Sequence, residues 1–369
     1  MKGFGVACCL LLAAIPGGYA ERRFPPPDFE TGYTQPPVVF QEVRTPVSQY
    51  VDLTLLVVCL AIGTWLLHYR RSRRGIFLLG LFAVLYFGFY KNGCICPIGS
   101  IQNVTLALLD PHYPISLAVI GIFIAPLLFS LFYGRVFCGG VCPLGAIQDL
   151  FLFRTLRVPR WLEGSLGLCR YFYLGIAIYT VAEYSRFVIC EYDPFVGFFR
   201  MSGLPWKLGL GAALLGIGLF IPRPYCRYLC PYGGLLSLLA RRSSTWVRIT
   251  PTDCTNCTLC DAACPYEAIL RPEEPIRPEG SWRFKIILAS LGVMALFIAS
   301  GFYLFGTALS GILLSTWFGV VIASKMMTQA FSNRRNHFET DHAACLSCGR
   351  CYEYCPYGKT MQEIDAHAG

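Results

Sequence analysis

Charge is scarce in this chain. Only 14% of its 369 residues are Asp, Glu, Lys or Arg, against about a quarter in an ordinary soluble domain. A soluble fold of this length would lack the polar side chains to cover its surface. Acidic residues are the rarer sign, 22 against 31 basic ones, for a net charge of +9. That excess is not gathered on a soluble domain of recognisable fold, so nucleic acid is excluded as the expected partner. Histidine is rarer still, with five residues at no paired spacing, which leaves haem ligation unsupported. No dinucleotide fingerprint, P-loop or nucleophile triad is present, and nucleotide and hydrolase chemistry fall away with them.

What the chain has is apolar side chains, 55% of the total, with a mean hydropathy of +0.51. Long uncharged runs predict an all-α polytopic membrane protein with about seven transmembrane helices. The predicted spans cover roughly 51–67, 75–90, 115–133, 166–187, 205–221, 284–303 and 306–324. The last two form one run about twice the length a single helix needs. Gly301, Gly306 and Gly311 supply a place to turn inside it.

The opening MKGFGVACCLLLAAIPGGYA, with Lys2, a short apolar stretch and the small-x-small ending Gly18-Tyr19-Ala20, reads as a signal peptide over 1–20. The rival is an uncleaved anchor, for which the apolar part is short. Residues 21–50, rich in proline, read as an extended periplasmic linker. The rest divides into a transmembrane core (51–242), a first ferredoxin motif (243–282), a transmembrane hairpin (283–325) and a second ferredoxin motif (326–369).

Basic residues cluster at Arg70, Arg71, Arg73 and Arg74, at Arg135, Arg154, Arg157 and Arg160, and at Arg223, Arg227, Arg241, Arg242 and Arg248. The loops 91–114 and 188–204 hold only Lys91 and Arg200. The alternation predicts an outside amino terminus and an inside carboxyl terminus, hence a bacterial inner-membrane protein with both ferredoxin motifs in the cytoplasm.

Nineteen cysteines are the other abundance. The spacing C-x2-C-x2-C-x3-C-P occurs at Cys254, Cys257, Cys260 and Cys264, and again at Cys345, Cys348, Cys351 and Cys355. Three thiolates so spaced wrap one cubane, and the fourth, before proline, reaches the other cluster in two-cluster ferredoxins. Cys254, Cys257, Cys260 and Cys355 are thus expected to hold one [4Fe–4S] cluster, and Cys345, Cys348, Cys351 and Cys264 its neighbour. Structural zinc prefers separated C-x2–4-C knuckles or Cys/His pairs.

FCGGVCP and YCRYLCP give two C-x3-C-P pairs, Cys138 with Cys142 and Cys226 with Cys230. On an α-helix, positions four apart share a face. Two converging pairs would supply four thiolates, enough for a further cluster or a soft metal ion; small buried cysteines that merely pack are the bland alternative. A short repeat runs through CPIGSIQN at Cys96, CPLGAIQD at Cys142 and CPYGGLLS at Cys230. It places each cysteine at a loop-to-helix junction with proline in the first turn, where the helix dipole favours a thiolate. Cys94, Cys96 and Cys190 would face the other side, as ligands of a further cluster with one non-cysteine ligand or as a disulfide with one thiol left over. Cys59 and Cys169 read as packing residues, and Glu183 with Arg186 as an interfacial ion pair.

These C-x3-C-P pairs, followed by paired ferredoxin motifs over roughly 75–356, resemble the NosR/NapH-type polyferredoxin membrane proteins and, more distantly, the CcoG-type accessory proteins of cytochrome oxidase assembly. The resemblance implies clusters that pass electrons between a cytoplasmic or quinone pool and a periplasmic redox partner. NosR-like members carry a periplasmic flavin-binding domain before the first span. Only the linker stands at that place here, so a separate flavoprotein or cytochrome partner is expected. The predicted role is an electron-transfer component rather than a stand-alone enzyme. The alternatives are a copper or other metal reductase serving assembly of a respiratory enzyme, and a redox-sensing regulator.

Overall fold

Proline sets the start of helix after helix in the computed structural model, which describes residues 46–93, 95–200, 205–249, 257–272, 280–330 and 338–355. Its ring fixes φ near the helical value, and its missing N–H would have had no partner in the first turn. Helix α1 covers Pro46–His68, and α2 covers Arg73–Ala83 before widening into a π-helical turn at Val84–Tyr90. There follow α3 (Pro97–Leu109), α4 (Leu117–Tyr133), a π-turn (Phe137–Val141), α5 (Pro143–Leu150), α6 (Arg160–Tyr184), α7 (Val188–Tyr192) and α8 (Pro194–Phe199). Then come α9 (Pro205–Gly218), a third π-turn (Tyr225–Leu229), α10 (Pro231–Ala240), α11 (Leu259–Ala263) and strand β1 (Ile269–Leu270). The chain closes with α12 (Gly280–Phe305), α13 (Leu309–Ala330), β2 (Glu339–Thr340) and α14 (Arg350–Tyr354).

Among the described residues five helices are long and apolar enough to cross a membrane: Val47–His68, Arg73–Tyr90, Trp161–Tyr184, Trp282–Phe305 and Leu309–Thr328. Two of the seven expected spans are shorter. Helix α4 has 17 residues and α9 has 14, against about 20 for a full crossing. Each ends just before a C-x3-C-P turn, so its length is given up to a buried, irregular segment. Such backbone is tolerated at membrane depth only where protein covers it. Helix α1 begins inside the stretch read as linker, and α3 occupies the stretch read as an outer loop.

The hairpin expected between the ferredoxin motifs is present. Gly306, at φ +59, turns α12 into α13, and small residues let the two helices close. A Cβ on Gly301 would lie 3.0 Å from the Ser315 side chain, and one on Gly319 would lie 2.9 Å from Phe297. The outward face of α12 is apolar, with Trp282, Phe284, Leu288, Leu291, Leu296 and Phe302 exposed, as a lipid-facing helix requires.

The two ferredoxin halves meet. Strand β1 pairs antiparallel with β2, Ile269 opposite Thr340 and Leu270 opposite Glu339, and Asp341 N–H donates to Ala268 O at 2.7 Å. Ile269, Phe338, Tyr352 and Cys260 share a buried cluster with Leu67 of α1, Ile76 of α2 and Val136. The lobe thus sits on the end of the bundle where α1 finishes and α2 begins. Its loop at Leu346–Ser347 presses on Gly139 of the first C-x3-C-P turn, where a Cβ would lie 2.5 Å from Ser347 O and 2.6 Å from Leu346 O.

Neither of those atoms is the free end of a side chain, so Gly139→Ala should push the lobe off its seat, at a cost of about 1–3 kcal/mol. Thermal unfolding in detergent and protease protection of the lobe read this out. Gly209→Ala, with nothing within 4 Å of its Cβ, is the neutral control, and equal behaviour of the two variants would refute the close seat.

Candidate iron–sulfur sites

The C-x3-C-P pairs do not lie on α-helices, as the four-residue spacing had led us to expect. Each first cysteine is inside a π-turn and each second one ends it: Cys142 N–H donates to Phe137 O at 2.8 Å, and Cys230 N–H to Tyr225 O at 2.8 Å. The wider i to i−5 turn is common at functional sites. It lets Cys142 and Cys230 serve as the N-caps of α5 and α10, with Pro143 and Pro231 at the first position. Cys230 Sγ accepts from Gly233 N–H at 3.2 Å.

The four thiols converge. Cys142 lies within charge–charge range of Cys226, and Cys138 and Cys230 lie within that range of both. All four are buried amid Phe137, Val141, Tyr225 and Tyr232. Gln148, fully buried, donates to Cys226 Sγ at 3.5 Å and accepts from Tyr225 N–H at 3.2 Å.

Two arginines that the sequence assigns to loops are instead inside this site, each 1% exposed. Each stands three residues before the first cysteine of its turn, and each crosses to other elements. Arg223 donates to the backbone carbonyl of Cys138 and to Gly139 O at 3.1 Å, and pairs with Asp149 at 2.7 Å. Asp149 also takes Arg73 at 3.3 Å and the hydroxyl of Tyr266, from the lobe, at 3.0 Å. Burial works against its charge, but Arg223, with its hydrogen bonds, and Arg73 outweigh that and hold the Asp149 carboxyl below the usual range. Arg135 donates to Ala343 O of the lobe at 2.9 Å and to Cys138 Sγ at 3.7 Å, while its buried Nε has no partner. The repeated R-x2-C spacing, Arg135 to Cys138 and Arg223 to Cys226, was the available sequence signal.

Of the ferredoxin thiols, Cys254 lies outside the described residues. Cys264 is within charge–charge range of Cys345, Cys348 and Cys351, and Cys260 of Cys257 and Cys355. Burial pushes Cys264 up to about 11 and Cys345 up to about 12, so these thiols resist ionisation until a positive centre binds them. Cys94 also lies outside the described residues. Cys96 caps α3 within charge–charge range of Cys190, at the end of α2 away from the lobe. Among the described residues no three Cys, His, Asp or Glu side chains close tightly around a point that would suit a single metal ion.

The donor set nevertheless fits a cluster: four buried thiols, no acidic side chain among them, and a buried guanidinium with an unsatisfied N–H beside them. Cys59 packs in the core, as expected. Glu183 and Arg186 do not pair: Arg186 holds Glu191 at 2.7 Å, and Glu183 accepts from Ser310 at 2.6 Å.

Both C-x3-C-P segments match the family model of a 4Fe-4S binding domain, over residues 115–162 and 202–250. Protein NirI of Paracoccus denitrificans is 37% identical over 122 residues, 31% of this chain and 18% of that protein. The putative electron transport protein YccM of Escherichia coli is 30% identical over 122 residues, 30% of this chain and 34% of that protein. Regulatory protein NosR of Pseudomonas aeruginosa is 32% identical over 135 residues, 32% of this chain and 18% of that protein. The chain therefore spans about a third or less of the length of these relatives. No solved structure matches.

Helices apolar enough to cross a membrane, together with two cysteine turns that match a 4Fe-4S binding domain, mark a membrane iron–sulfur protein. The matched segments are similar to those of NirI, YccM and NosR, as the resemblance to NosR/NapH-type proteins led us to expect.

Asp149→Asn should leave Arg223 buried without a counter-charge, which costs about 3–5 kcal/mol, measured as thermal unfolding in detergent at neutral pH. A depressed folded-state carboxyl stabilises above the ordinary Asp value of about 3.9, and that part is lost as pH falls through the folded value. The wild type should therefore lose in acid a stability that the variant never had; equal unfolding at neutral pH would refute this role.

Proposed function

We propose that the chain is a membrane electron relay between iron–sulfur clusters in a cytoplasmic ferredoxin lobe and a redox partner on the other side, with the C-x3-C-P thiols as the intermediate station. The single observation that carries this reading is the contact between the two sites. Gly139 lets the lobe's Leu346–Ser347 loop touch the C-x3-C-P turn at backbone distance, and Arg135 bonds to both Ala343 O and Cys138 Sγ. When bound, [4Fe–4S] clusters supply one-electron carriers whose potential is set by burial and by hydrogen bonds to sulfur.

In this reading Cys254, Cys257, Cys260 and Cys355 hold one cluster, and Cys345, Cys348, Cys351 and Cys264 a second. The crossed proximity of Cys264 to the second motif and of Cys355 to the first supports that assignment. Cys138, Cys142, Cys226 and Cys230 hold a third, which the 4Fe-4S family match over those segments supports. The residues of the chain do the rest. Arg135 offsets negative charge at the inner station, Gln148 fixes Cys226, and the apolar wall of Phe137, Val141 and Leu236 keeps water out. Clusters of basic residues on alternate loops support a cytoplasmic lobe. The donor or acceptor beyond the membrane is a flavoprotein or cytochrome, with quinone as an alternative electron source.

Iron, sulfide and EPR on the anaerobically reduced protein test the reading. About eight irons per chain would mean the lobe pair alone, and twelve or more would bring in the C-x3-C-P thiols. Cys142→Ser and Cys230→Ser should each remove about four irons and abolish transfer across proteoliposomes, while the lobe signals persist. Unchanged iron and transfer would sink the intermediate station. Reoxidation by copper ions rather than by any flavoprotein or cytochrome would favour a metal reductase instead.

A further inference from the structure

The inner station has a partial second copy at the far end of α2. Three X-Pro junctions that open helices in this core are Cys-Pro: Cys96-Pro97, Cys142-Pro143 and Cys230-Pro231. Asp193-Pro194, opening α8, also follows a cysteine, three residues away rather than four, in Cys190-Glu191-Tyr192-Asp193-Pro194. Before its proline, Asp193 thus holds the place that cysteine holds in those three.

The surrounding geometry repeats as well. In the CPIGSIQ and CPLGAIQ repeats the glutamine six residues after the cysteine is fully buried. Gln148 accepts from the N–H of Tyr225, the residue before Cys226, at 3.2 Å. Gln102 accepts from the N–H of Ile189, the residue before Cys190, at 2.9 Å. The same clamp therefore sets Cys226 against Cys142 and Cys190 against Cys96. A Cβ on Gly99, in the first turn after Cys96, would lie 3.2 Å from Cys190 Sγ. Asp193 is 3% exposed, although carboxylates are seldom buried without a task or a partner. It lies within charge–charge range of Cys96, accepting from Phe195 N–H at 2.8 Å and from Tyr225 O–H at 3.3 Å. Tyr225 directly precedes Cys226 of the inner station, and Cys96 itself is within charge–charge range of Cys230.

We propose that Cys96, Cys190 and Asp193 supply three of the ligands of a further iron–sulfur cluster, an outer station in which a carboxylate takes the place of one thiolate. The proposal rests on the relay reading, because an outer cluster needs the inner one to feed it. A carboxylate is a harder and more exchangeable ligand to iron than a thiolate. It suits the station at which electrons pass between the chain and a partner outside it.

The test is iron and sulfide content with EPR of purified, anaerobically reduced protein, set beside Cys142→Ser. Cys96→Ser, Cys190→Ser and Asp193→Ala should each lose about four irons and one shared EPR signal, while the inner-station signal stays. Asp193→Cys should keep the iron and change the shape of that signal. Because Cys190 is exposed, its serine variant tests the site even if Asp193→Ala fails to fold. Full iron in Cys190→Ser and Asp193→Ala, or a Cys96–Cys190 disulfide recovered from the native protein by mass spectrometry, would overturn the outer station. If Cys142→Ser keeps its iron too, the relay reading itself falls.

Discussion

The ion pair between Arg223 and Asp149 joins everything that the two C-x3-C-P repeats build. Asp149 closes the helix that Cys142 opens, whereas Arg223 leads into the turn of Cys226. Their contact therefore locks one repeat onto the other. The same guanidinium donates to the carbonyls of Cys138 and Gly139, and the same carboxylate receives Arg73 from α2 and Tyr266 from the lobe. Burying two charges costs several kcal/mol per ion. Here that cost is offset because both oxygens of Asp149 are engaged and the guanidinium meets an acceptor on each of its nitrogens. The pair is best understood as a device of registration, since an apolar substitute would pack but could not hold backbone carbonyls of a π-turn in place.

Arg135 stands in a different position. It has no carboxylate among the described residues, its Nε has no acceptor, and it is as deeply buried as Arg223. An isolated buried cation would be strongly destabilising. Its neighbours are thiols on two sides, Cys138 in the core and Cys345 in the lobe. A thiolate-bound cluster is the natural counter-charge for it, and one guanidinium shared by two stations would make the charge on each felt by the other.

Much of this was legible in the sequence, and for identifiable reasons. Ligand spacing is local, so both ferredoxin motifs and both C-x3-C-P pairs could be read directly. So could the two-helix return between the motifs, because an apolar run of double length with Gly306 in its middle permits little else. The π-turns were not legible. A spacing of four fits an α-helix as well as a wider turn, and only the Cys-Pro junction, which ends one element and begins another, decides between them. Arg135 and Arg223 were read as loop charges for orientation, because a sequence scan cannot distinguish a loop outside the membrane from a short segment folded into the core. The shortness of α4 and α9 has the same origin: apolar residues continue past the helix ends into the buried turns, so hydropathy overstates the helix. Glu183 and Arg186 were paired on proximity alone, whereas the turn at Ser185, in the left-handed region at φ +50, swings Arg186 away towards Glu191.

The split of the ferredoxin motif by a helical hairpin can now be given a physical reason. A soluble ferredoxin tethered by a linker would deliver electrons by collision, at whatever distance the encounter allowed. Here the two half-motifs flank α12 and α13 in the sequence, and that hairpin is anchored to the core. Trp317 Nε1 donates to Tyr171 O at 2.9 Å, Phe318 packs edge-on to Phe172 at 4.8 Å, and Gly175 makes room for the Trp317 ring. Helix α6, which receives these contacts, also carries Glu163, which pairs with Arg227 of the second turn at 2.8 Å. The hairpin and the second C-x3-C-P turn are therefore held by the same helix. A hydrocarbon core of ~30 Å is too thick for one fast electron hop. The relay proposed above would need a constant gap between its first two stations, and the seat of the Leu346–Ser347 loop on Gly139 supplies one by packing rather than by diffusion.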